Sequence, residues 1–571
     1  MLNRFSMMAC AAVVGLGTGL AGATQAAEPG LPKLSIQLTP FAQGGPQSHM
    51  AVRETLEAPG LAAGGVLVRL PVKLVGIPGS QMLGDGLTAR DAAGPLALTI
   101  EEEPPIPQGS YRRWKAARAT VGDVIVEYRA APRPITAATN NGPLFDLREE
   151  SGGFAGAGVT FLAVPPGERP YRIALDWDLS QAPNGSRGVS SLGEGHVDTV
   201  GPPERLAFSF YAAGPLQALP GAGDGFGLYW LSPPPFPADT LGARIKTLHA
   251  AMAKFFGDEN AAYRVFIRQN PYPGTGGTAL PQSFMFGYRA SDKPTLEALQ
   301  SLVSHEMTHN WPAMEGEHGD TAWYSEGTAE FYSMLLSYRS GLLLLDGFVT
   351  SLNDKTAAYY TNPYLRLSNP AAAKIFWSDP TAQTVPYGRG LLYLIDTDAA
   401  IRAKSGGKRS LDEVVQELYR RKKAGQPYTI ETWLDLVGKE IGADQAKAAY
   451  QAMAAGEVLH PANRFAGCLV ASPKTMRTFE LGFDRASLND DRIVRGLKAG
   501  SEADKAGVRD GDQIVTESGM LEARKDETRS LTLILKRDGA ERTATFLPRG
   551  AGVEGITWVK APGARPETCR F

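Results

Sequence analysis

Short apolar segments rich in β-branched and aromatic residues recur over residues 28–205, and clusters of Gly, Pro and Asn separate them. This spacing is typical of strands joined by turns, and it predicts an antiparallel sandwich or barrel. The segments are LSIQLT, GGVLVRLPVKLV, ALTIEE, DVIVEYRA, GVTFLAV, YRIALDWDL and RLAFSFYAA. We therefore predict a β-rich N-terminal domain.

The pattern then changes to helical spacing. Leu296, Leu299 and Val303 recur at intervals of three and four, which predicts a helix with one buried face. Asp292 is a candidate N-cap for this helix, and Pro312 ends the run.

A second helix is predicted over residues 321–339, and residues 346–465 are mostly helical in pattern. Strand-rich segments followed by helical ones indicate a multidomain α+β protein. The length of 571 residues is consistent with three or four domains. A formal net charge of −2 without long runs of one sign argues against nucleic acid as a partner.

The N-terminus is typical of a secretory signal. Arg4 precedes a short apolar core over residues 7–22, and small residues follow before Ala26 and Ala27, where cleavage is expected. Gly and Thr interrupt this core, which disfavours a membrane anchor, and no later segment is apolar enough to span a bilayer. We expect export to the periplasm or beyond after removal of residues 1–27.

Candidate chemistry lies on the two predicted helices. His305, Glu306 and His309 form an H-E-x-x-H motif, and residues 310–325 separate it from Glu326. Positions four apart share a helix face, so the two imidazoles can point toward one ion. Glu326 is the predicted third ligand, and Glu330, four residues on, is a predicted outer-shell carboxylate that orients a ligand histidine.

Two histidines and a carboxylate suit a catalytic Zn²⁺ that keeps one position open for water. Glu306 is then free to accept a proton from that water. An accidental motif is the alternative, but two of only seven histidines fall at this spacing on a credible helix. The sequence therefore predicts a hydrolase with one Zn²⁺ per chain.

The motif and its surroundings resemble the gluzincin metallopeptidases. Trp311 and the triplet Ser325-Glu326-Gly327 match that group, as does the segment around Tyr387, VPYGRG. The resemblance implies that Glu326 is the third ligand and that Tyr387 hydrogen-bonds the oxyanion of the tetrahedral intermediate. An ordinary core tyrosine is the alternative for Tyr387.

The stretch from Gly276 to Met285 precedes the zinc helix, where the gluzincins have an edge strand that pairs with the substrate backbone. The candidate substrate-binding residues are Gly276, Gly277 and Gln282. Aminopeptidases of this clan hold the substrate amine with a glutamate here, whereas this segment contains no acid. An ammonium group needs a nearby carboxylate when it is desolvated, so exopeptidase action does not follow from these residues.

The C-terminal part resembles a PDZ domain. Leu481, Gly482 and Phe483 match its carboxylate-binding loop, and AGVRDGDQI matches the segment after its short helix. Successive backbone N–H groups in such a loop can bind the terminal carboxylate of a peptide. A module that packs on its own catalytic domain and binds nothing is the alternative.

The order of these parts resembles the glycyl aminopeptidase family, which implies zinc-dependent removal of small N-terminal residues. The predicted layout comprises a signal peptide (1–27), an N-terminal β-rich domain (28–205), the zinc-binding half of a thermolysin-like catalytic domain (206–345), its helical half (346–465), a PDZ domain (466–550) and a C-terminal tail (551–571).

Three cysteines are present, and Cys10 leaves with the signal segment. Cys468 and Cys569 remain as an even pair in an exported chain, which predicts a disulfide.

Competing functions stay open at this stage. An endopeptidase, or a peptidase for atypical chain ends, agrees with the missing acid. A PDZ-type peptide-binding envelope protein with a structural zinc site is the alternative outside the enzymes. Epoxide or ester hydrolysis on the same scaffold has no residue of its own in support.

Overall fold

The computed structural model describes residues 30–569 apart from 107, 138, 140–141, 220–224, 273–275, 377–378, 462–463, 466 and 489–490. The predicted signal segment lies outside the described residues. Two compact units make up the chain, residues 1–310 and 311–571. Among the described helices, none combines the length and apolarity that crossing a bilayer requires.

The first unit consists mainly of strands. Its strands are β1 (Lys33–Phe41), β2 (His49–Leu56), β3 (Val66–Leu74), β4 (Ile77–Pro78), β5 (Thr88–Asp91), β6 (Gly94–Leu96), β7 (Leu98–Glu102), β8 (Gly109–Ala116), β9 (Val124–Ala130), β10 (Arg148–Glu150), β11 (Gly153–Ala157), β12 (Tyr171–Trp177), β13 (Arg187–Ser190), β14 (Gly193–Glu194), β15 (Val197–Gly201), β16 (Phe210–Gly214), β17 (Gln217–Leu219), β18 (Phe226–Trp230), β19 (Tyr263–Gln269), β20 (Gly276–Leu280) and β21 (Ser283–Tyr288). Its helices are α1 (Glu204–Ala207), α2 (Ala238–Phe255) and α3 (Leu296–Thr308).

These strands form four sheets. The orders are β15-β12-β1-β2-β9-β5-β6, β4-β3-β8-β7, β10-β11-β16-β13-β14 and β17-β18-β19-β21-β20. The first sheet is mixed, because β1 pairs with β12 in parallel and with β2 antiparallel. The prediction of an antiparallel sandwich or barrel is therefore wrong at the β1–β12 pair, where a long connection returns the chain beside its first strand.

Alternation along the strands explains which face is buried. Leu34, Ile36 and Leu38 of β1 are at most 1% exposed, whereas the residues between them are partly or fully exposed. The buried side chains of the sheets join one continuous apolar core, which also includes Phe266 and Met285 of the sheet that precedes α3. The strands leading to α3 thus share the core of the N-terminal sheets.

The segment over residues 158–164 differs from its prediction as a strand. It begins with a 3-10 turn, Gly158–Thr160, and is buried throughout. An apolar run of this length is compatible with any buried backbone, so its composition does not specify a strand. A Cβ on Gly158 would lie 2.4 Å from the carbonyl oxygen of Leu206, so this close packing requires glycine.

The second unit begins with helices and ends with strands. Its helices are α4 (His318–Arg339), α5 (Leu345–Tyr360), α6 (Asn369–Ile375), α7 (Pro380–Gln383), α8 (Val385–Ser405), α9 (Leu411–Lys423), α10 (Ile430–Ile441), α11 (Ala443–Ala455), α12 (Glu502–Lys505) and α13 (Met520–Lys525). Its strands are β22 (Arg464–Phe465), β23 (Leu469–Phe479), β24 (Gln513–Ser518), β25 (Leu531–Arg537), β26 (Ala540–Phe546) and β27 (Arg549–Lys560).

The strands of this unit form two antiparallel sheets, β22-β23-β27 and β24-β25-β26. The second sheet covers a small separate core that includes Val494, Val508 and Leu533. The residues of this core lie between Leu481 and Phe546, inside residues 466–550, which we call the C-terminal module; its assignment as a PDZ domain stays a prediction.

Candidate metal centre and active site

Helix α3 presents the two histidines of the motif. Thr295, rather than Asp292, is its N-cap, and the Thr295 hydroxyl accepts a hydrogen bond from the Ala298 N–H. His309 follows the last residue of α3 but keeps right-handed helical backbone angles, so the spacing of four from His305 still places both rings together. The ring centroids lie 5.0 Å apart, edge to face.

Glu306 lies beside the ligand pair and is completely buried. Burial, and then the charge of Glu306, raise the pKa of the Tyr263 phenol, at the start of β19, well above its usual range. The Tyr263 ring stacks on His249 of α2, at 5.8 Å between centroids. The sequence analysis missed Tyr263, since an isolated tyrosine on a strand carries no spacing signal.

Asn310, directly after the motif, connects α3 to the hairpin before it. Its side-chain oxygen accepts a hydrogen bond from the Gln282 N–H at 2.8 Å, and its amide nitrogen donates to the Met307 carbonyl at 2.9 Å. Gln282 has a positive φ of 57° in the turn between β20 and β21. The structure therefore assigns the Gln282 backbone to positioning the hairpin, while substrate binding by Gln282 stays a prediction.

Strand β20 lies at the edge of its sheet, as predicted for this stretch, and pairs antiparallel with β21. Gly277 must lack a side chain here, because a Cβ would lie 1.9 Å from the ring of Phe284. Thr278 is turned inward and accepts a hydrogen bond from the Leu144 N–H. Ala279 is the partly exposed residue of β20, and no residue of this strand carries a carboxylate.

Helix α4 carries Glu326, which is 1% exposed, and Glu330, which is 8% exposed. The Glu330 carboxylate forms an ion pair with Lys355 of α5. Burial lowers the pKa of Lys355 to about 8. Lys355 thus holds the predicted outer-shell carboxylate, and orientation of a ligand histidine by Glu330 stays a prediction.

Helices α4 and α8 cross at two glycines. A Cβ on Gly390 would lie 1.9 Å from the Trp323 carbonyl oxygen, and one on Gly327 would lie 2.6 Å from the Gly390 backbone. Gly327 follows Glu326 directly, and Tyr387 lies three residues before Gly390, on the same face of α8. This close crossing fixes the helix turn of Glu326 against the helix that carries Tyr387.

The predicted ligands converge. One ligand atom each from His305, His309 and Glu326 lies within 4.8 Å of the other two. Across the described residues, these three form the only group of His, Cys, Asp or Glu side chains with a metal-binding arrangement. They come from consecutive helices, and together they offer two imidazole nitrogens and one carboxylate oxygen.

The predicted carboxylate loop lies in the C-terminal module. Leu481 and Phe483 are buried in its core, and Gly482 has a φ of 83° with no room for a side chain beside Ser501. The N–H groups before and after the loop, on Glu480 and Asp484, donate to backbone carbonyls. The loop is therefore anchored on both sides, and peptide binding by it stays a prediction.

Cys468 and Cys569 form a disulfide in the structure, as the sequence predicts. It joins the start of β23 to the end of the described chain. The closed loop of about a hundred residues is long, so the covalent bond removes considerable freedom from the unfolded chain.

Comparison with known proteins gives fold-level similarity. No family model and no curated protein sequence matches the chain. Among solved structures, an aminopeptidase N family protein from Idiomarina loihiensis is similar over 94% of this chain and 99% of its own, with a TM-score of 0.64 and 15% identity.

Two further structures are similar over 76% of this chain. An M1 zinc metallopeptidase from Deinococcus radiodurans has 17% identity, a TM-score of 0.47 and 95% of its own chain covered. Yeast LTA4 hydrolase has 13% identity, a TM-score of 0.45 and 69% of its own chain covered. The similarity to the Idiomarina loihiensis structure, which spans nearly all of both chains, shows that this protein has the multidomain α+β fold of an aminopeptidase N family protein.

Proposed function

We propose that the protein is a zinc-dependent peptidase. The convergence of His305, His309 and Glu326, with the buried carboxylate of Glu306 next to them in the chain, carries this proposal. The fold agrees with it, because the similar Idiomarina loihiensis structure is described as an aminopeptidase N family protein.

The donor set fits zinc. Two neutral imidazoles and one carboxylate are ligands that a catalytic Zn²⁺ accepts while one coordination position stays open. An ion held there would lower the pKa of a water molecule toward neutrality and polarise the scissile carbonyl. One Zn²⁺ per chain follows from the single group of ligands in the described residues.

Glu306 is the proposed general base. Its carboxylate accepts a proton from the attacking water and passes it to the nitrogen of the leaving amine. Burial suits this role, since a carboxylate surrounded by protein keeps its position and is less well solvated. Tyr387 is the proposed donor to the oxyanion that develops on the scissile carbonyl, and the crossing at Gly390 fixes its helix.

Strand β20 is the proposed binding strand for the substrate backbone. As an edge strand it can pair with an extended peptide, and Gly276 and Gly277 are the residues proposed to contact that backbone. The fold favours an aminopeptidase. The absence of an acid from β20 favours the second candidate, an endopeptidase or a peptidase for atypical ends, because the strand supplies no charge for a free amine.

Matched peptides separate these two candidates. A peptide library with free N-termini and its acetylated copy should give single-residue products only from the free set if the enzyme is an aminopeptidase. Cleavage of acetylated peptides at internal bonds would establish the endopeptidase.

The decisive test of the peptidase is Glu306→Gln. We expect this variant to bind one zinc ion per chain and to lose turnover, because the amide cannot accept a proton. Zinc content by atomic absorption and peptide cleavage by mass spectrometry measure the two effects. Glu297→Gln, on the exposed side of the same helix, is the matched control and should stay active.

Full activity of Glu306→Gln would contradict the role of Glu306 as general base, and undiminished activity after chelation would contradict the zinc-dependent mechanism. A wild-type chain that binds zinc and peptide but never cleaves would favour a peptide-binding protein with a structural zinc site.

We further propose that the chain is exported and that its C-terminal module binds peptides that end in a free carboxylate. The disulfide supports export, because such bonds persist in oxidising compartments. The loop of Leu481, Gly482 and Phe483 supports the peptide partner, since a left-handed glycine is one of the conformations in which successive backbone amides can form an anion-binding concavity.

A further inference from the structure

The chain just before Tyr387 is a tightly built junction. Asp379 caps α7 by accepting a hydrogen bond from the Thr381 N–H at 2.7 Å. Thr384 alone separates α7 from α8, and its backbone angles are right-handed helical. Because the helical path is nearly continuous, a displacement of Asp379 or Thr381 moves the first turn of α8, which contains Tyr387.

Arg485 of the C-terminal module holds this junction. It lies on a 3-10 turn, Arg485–Leu488, two residues after the carboxylate loop. One guanidinium nitrogen donates to the Asp379 carboxylate at 2.9 Å and to the Thr381 hydroxyl at 2.7 Å. Hydrogen bonds that a charged group donates to two acceptors are stronger and more specific than hydrogen bonds between neutral groups.

Side chains of the helical part form further hydrogen bonds to the same junction. The Asp379 side chain is 19% exposed, and its second oxygen accepts a hydrogen bond from the Tyr364 hydroxyl at 2.8 Å. Asn362 donates to the Thr381 carbonyl and to the Thr384 hydroxyl. Three side chains from outside the six-residue segment 379–384 therefore hold it, and only Arg485 among them belongs to the C-terminal module.

We propose that Arg485 is a positioning residue for the Tyr387 helix. Through Asp379 and Thr381 it fixes the start of α8, so that the C-terminal module contributes to placing the oxyanion donor. This inference rests on the role given to Tyr387 above. It also assigns the module a part in the reaction that is independent of any peptide bound to it.

A purely structural docking contact is the competing explanation, and it predicts a different result. If Arg485 only attached the module, its loss would lower the unfolding temperature and leave kcat of the folded enzyme unchanged. If it positions Tyr387, its loss lowers kcat by about 10- to 100-fold with little change in KM, as expected for a small misplacement of a catalytic group.

The experiment compares Arg485→Ala with Arg495→Ala in the full chain. Arg495 is a suitable control because it belongs to the same module and its ion pair is with Asp491, an exposed local partner. Hydrogen–deuterium exchange over residues 379–392 should rise in Arg485→Ala and stay at the wild-type level in the control. This readout needs no activity, so it decides the contact even if the peptidase proposal fails.

Kinetics then test the route through Tyr387. Arg485→Lys should recover part of kcat, since it restores the charge next to Asp379. In a Tyr387→Phe background, Arg485→Ala should lower kcat by less than about 3-fold, because the hydroxyl that Arg485 positions is already absent. Equal exchange in Arg485→Ala and wild type, or a full additional loss of kcat in the double variant, would overturn the proposal.

Discussion

Two buried glutamates show how differently the protein treats the same side chain. Glu54 of β2 is fully buried, and Glu326 of α4 is 1% exposed. Glu54 occupies a position on the apolar face of its strand, between Val52 and Leu56. Its described partner is the Tyr128 hydroxyl at 3.2 Å, and burial, partly offset by that hydrogen bond, raises its pKa to about 8.

Glu326 has two imidazoles for neighbours instead. Its carboxylate oxygen lies within 4.8 Å of nitrogen atoms of His305 and His309, which are electron-pair donors when neutral. A lone carboxyl in a core can become neutral by taking a proton, because desolvation penalises the charged form. Several electron-pair donors directed at one point are satisfied by a cation. Burial therefore favours protonation at Glu54 and favours metal binding at Glu326.

Replacing glutamate by glutamine at Glu326 and at Glu54 compares the two regions, and we expect the larger effect at Glu326. Glu326→Gln replaces an anionic ligand by a neutral amide, so we expect zinc affinity to fall by more than about 100-fold, the upper range for losing only an outer-shell partner. Peptide cleavage at limiting zinc should disappear. Isothermal titration with Zn²⁺ measures the affinity, and retention of tight binding would exclude Glu326 as a ligand.

Tyr387→Phe tests the other side of the site. Loss of a hydrogen bond to the developing oxyanion should lower kcat by about 10²–10³-fold while zinc binding stays unchanged. Steady-state kinetics at saturating zinc measures this. A variant with a near-normal rate would reduce Tyr387 to a packing residue.

Gly390→Ala tests the crossing that holds this part of the site. The new Cβ would meet the Trp323 carbonyl, so we expect a loss of about 1–3 kcal/mol in the free energy of unfolding together with reduced kcat. Gly347→Ala in α5 is the control, because its Cβ would meet only the end of the flexible Leu343 side chain. Chemical denaturation compares the two, and equal stabilities would show that the crossing has room for a side chain.

Glu54→Gln should have the smallest effect on activity, and its effect on stability should be opposite in sign to that of Gly390→Ala. Below the ordinary pKa of 4.5, folded and unfolded chains are both protonated and burial costs nothing extra. As the pH rises toward 8, the unfolded chain releases its proton first, so the wild type loses stability by up to about 1.4 kcal/mol per pH unit. Above the folded pKa the loss stops growing.

The amide does not titrate, so the stability of the variant relative to the wild type should increase between pH 5 and pH 8. Unfolding midpoints measured across this range test the sign. Glu127→Gln is the control, since Glu127 is exposed on the neighbouring strand. If the stability of the variant relative to the wild type decreases with rising pH, the assignment of Glu54 as a protonated core residue is contradicted.

Much of the candidate site follows from local sequence. The spacing of His305 and His309 specifies one helix face whatever surrounds it, because helix geometry depends only on neighbouring residues. The alternation in β1 likewise specifies its buried face. The disulfide follows from there being only two cysteines beyond the signal segment.

Other features have no local signature. Asn310 and Gln282 are ordinary polar residues in the sequence. Only the fold places the Gln282 backbone nitrogen, in the turn between β20 and β21, 2.8 Å from the side-chain oxygen of Asn310. Lys355 and Glu330 lie on different helices, and nothing in the sequence pairs them. The strand predicted over residues 158–164 was wrong for a related reason, since a fully buried segment shows no alternation.

The sequence by itself thus determined the ligand spacing, the strand faces and the cysteine pair, all of which depend on short-range geometry or on elimination. Only the tertiary structure decided that Gly327 meets Gly390, that Glu54 is buried beside Tyr128, and that Arg485 reaches Asp379. The reason is physical: packing distance, desolvation and charge pairing depend on which residues meet in space, and separation along the chain does not encode those contacts.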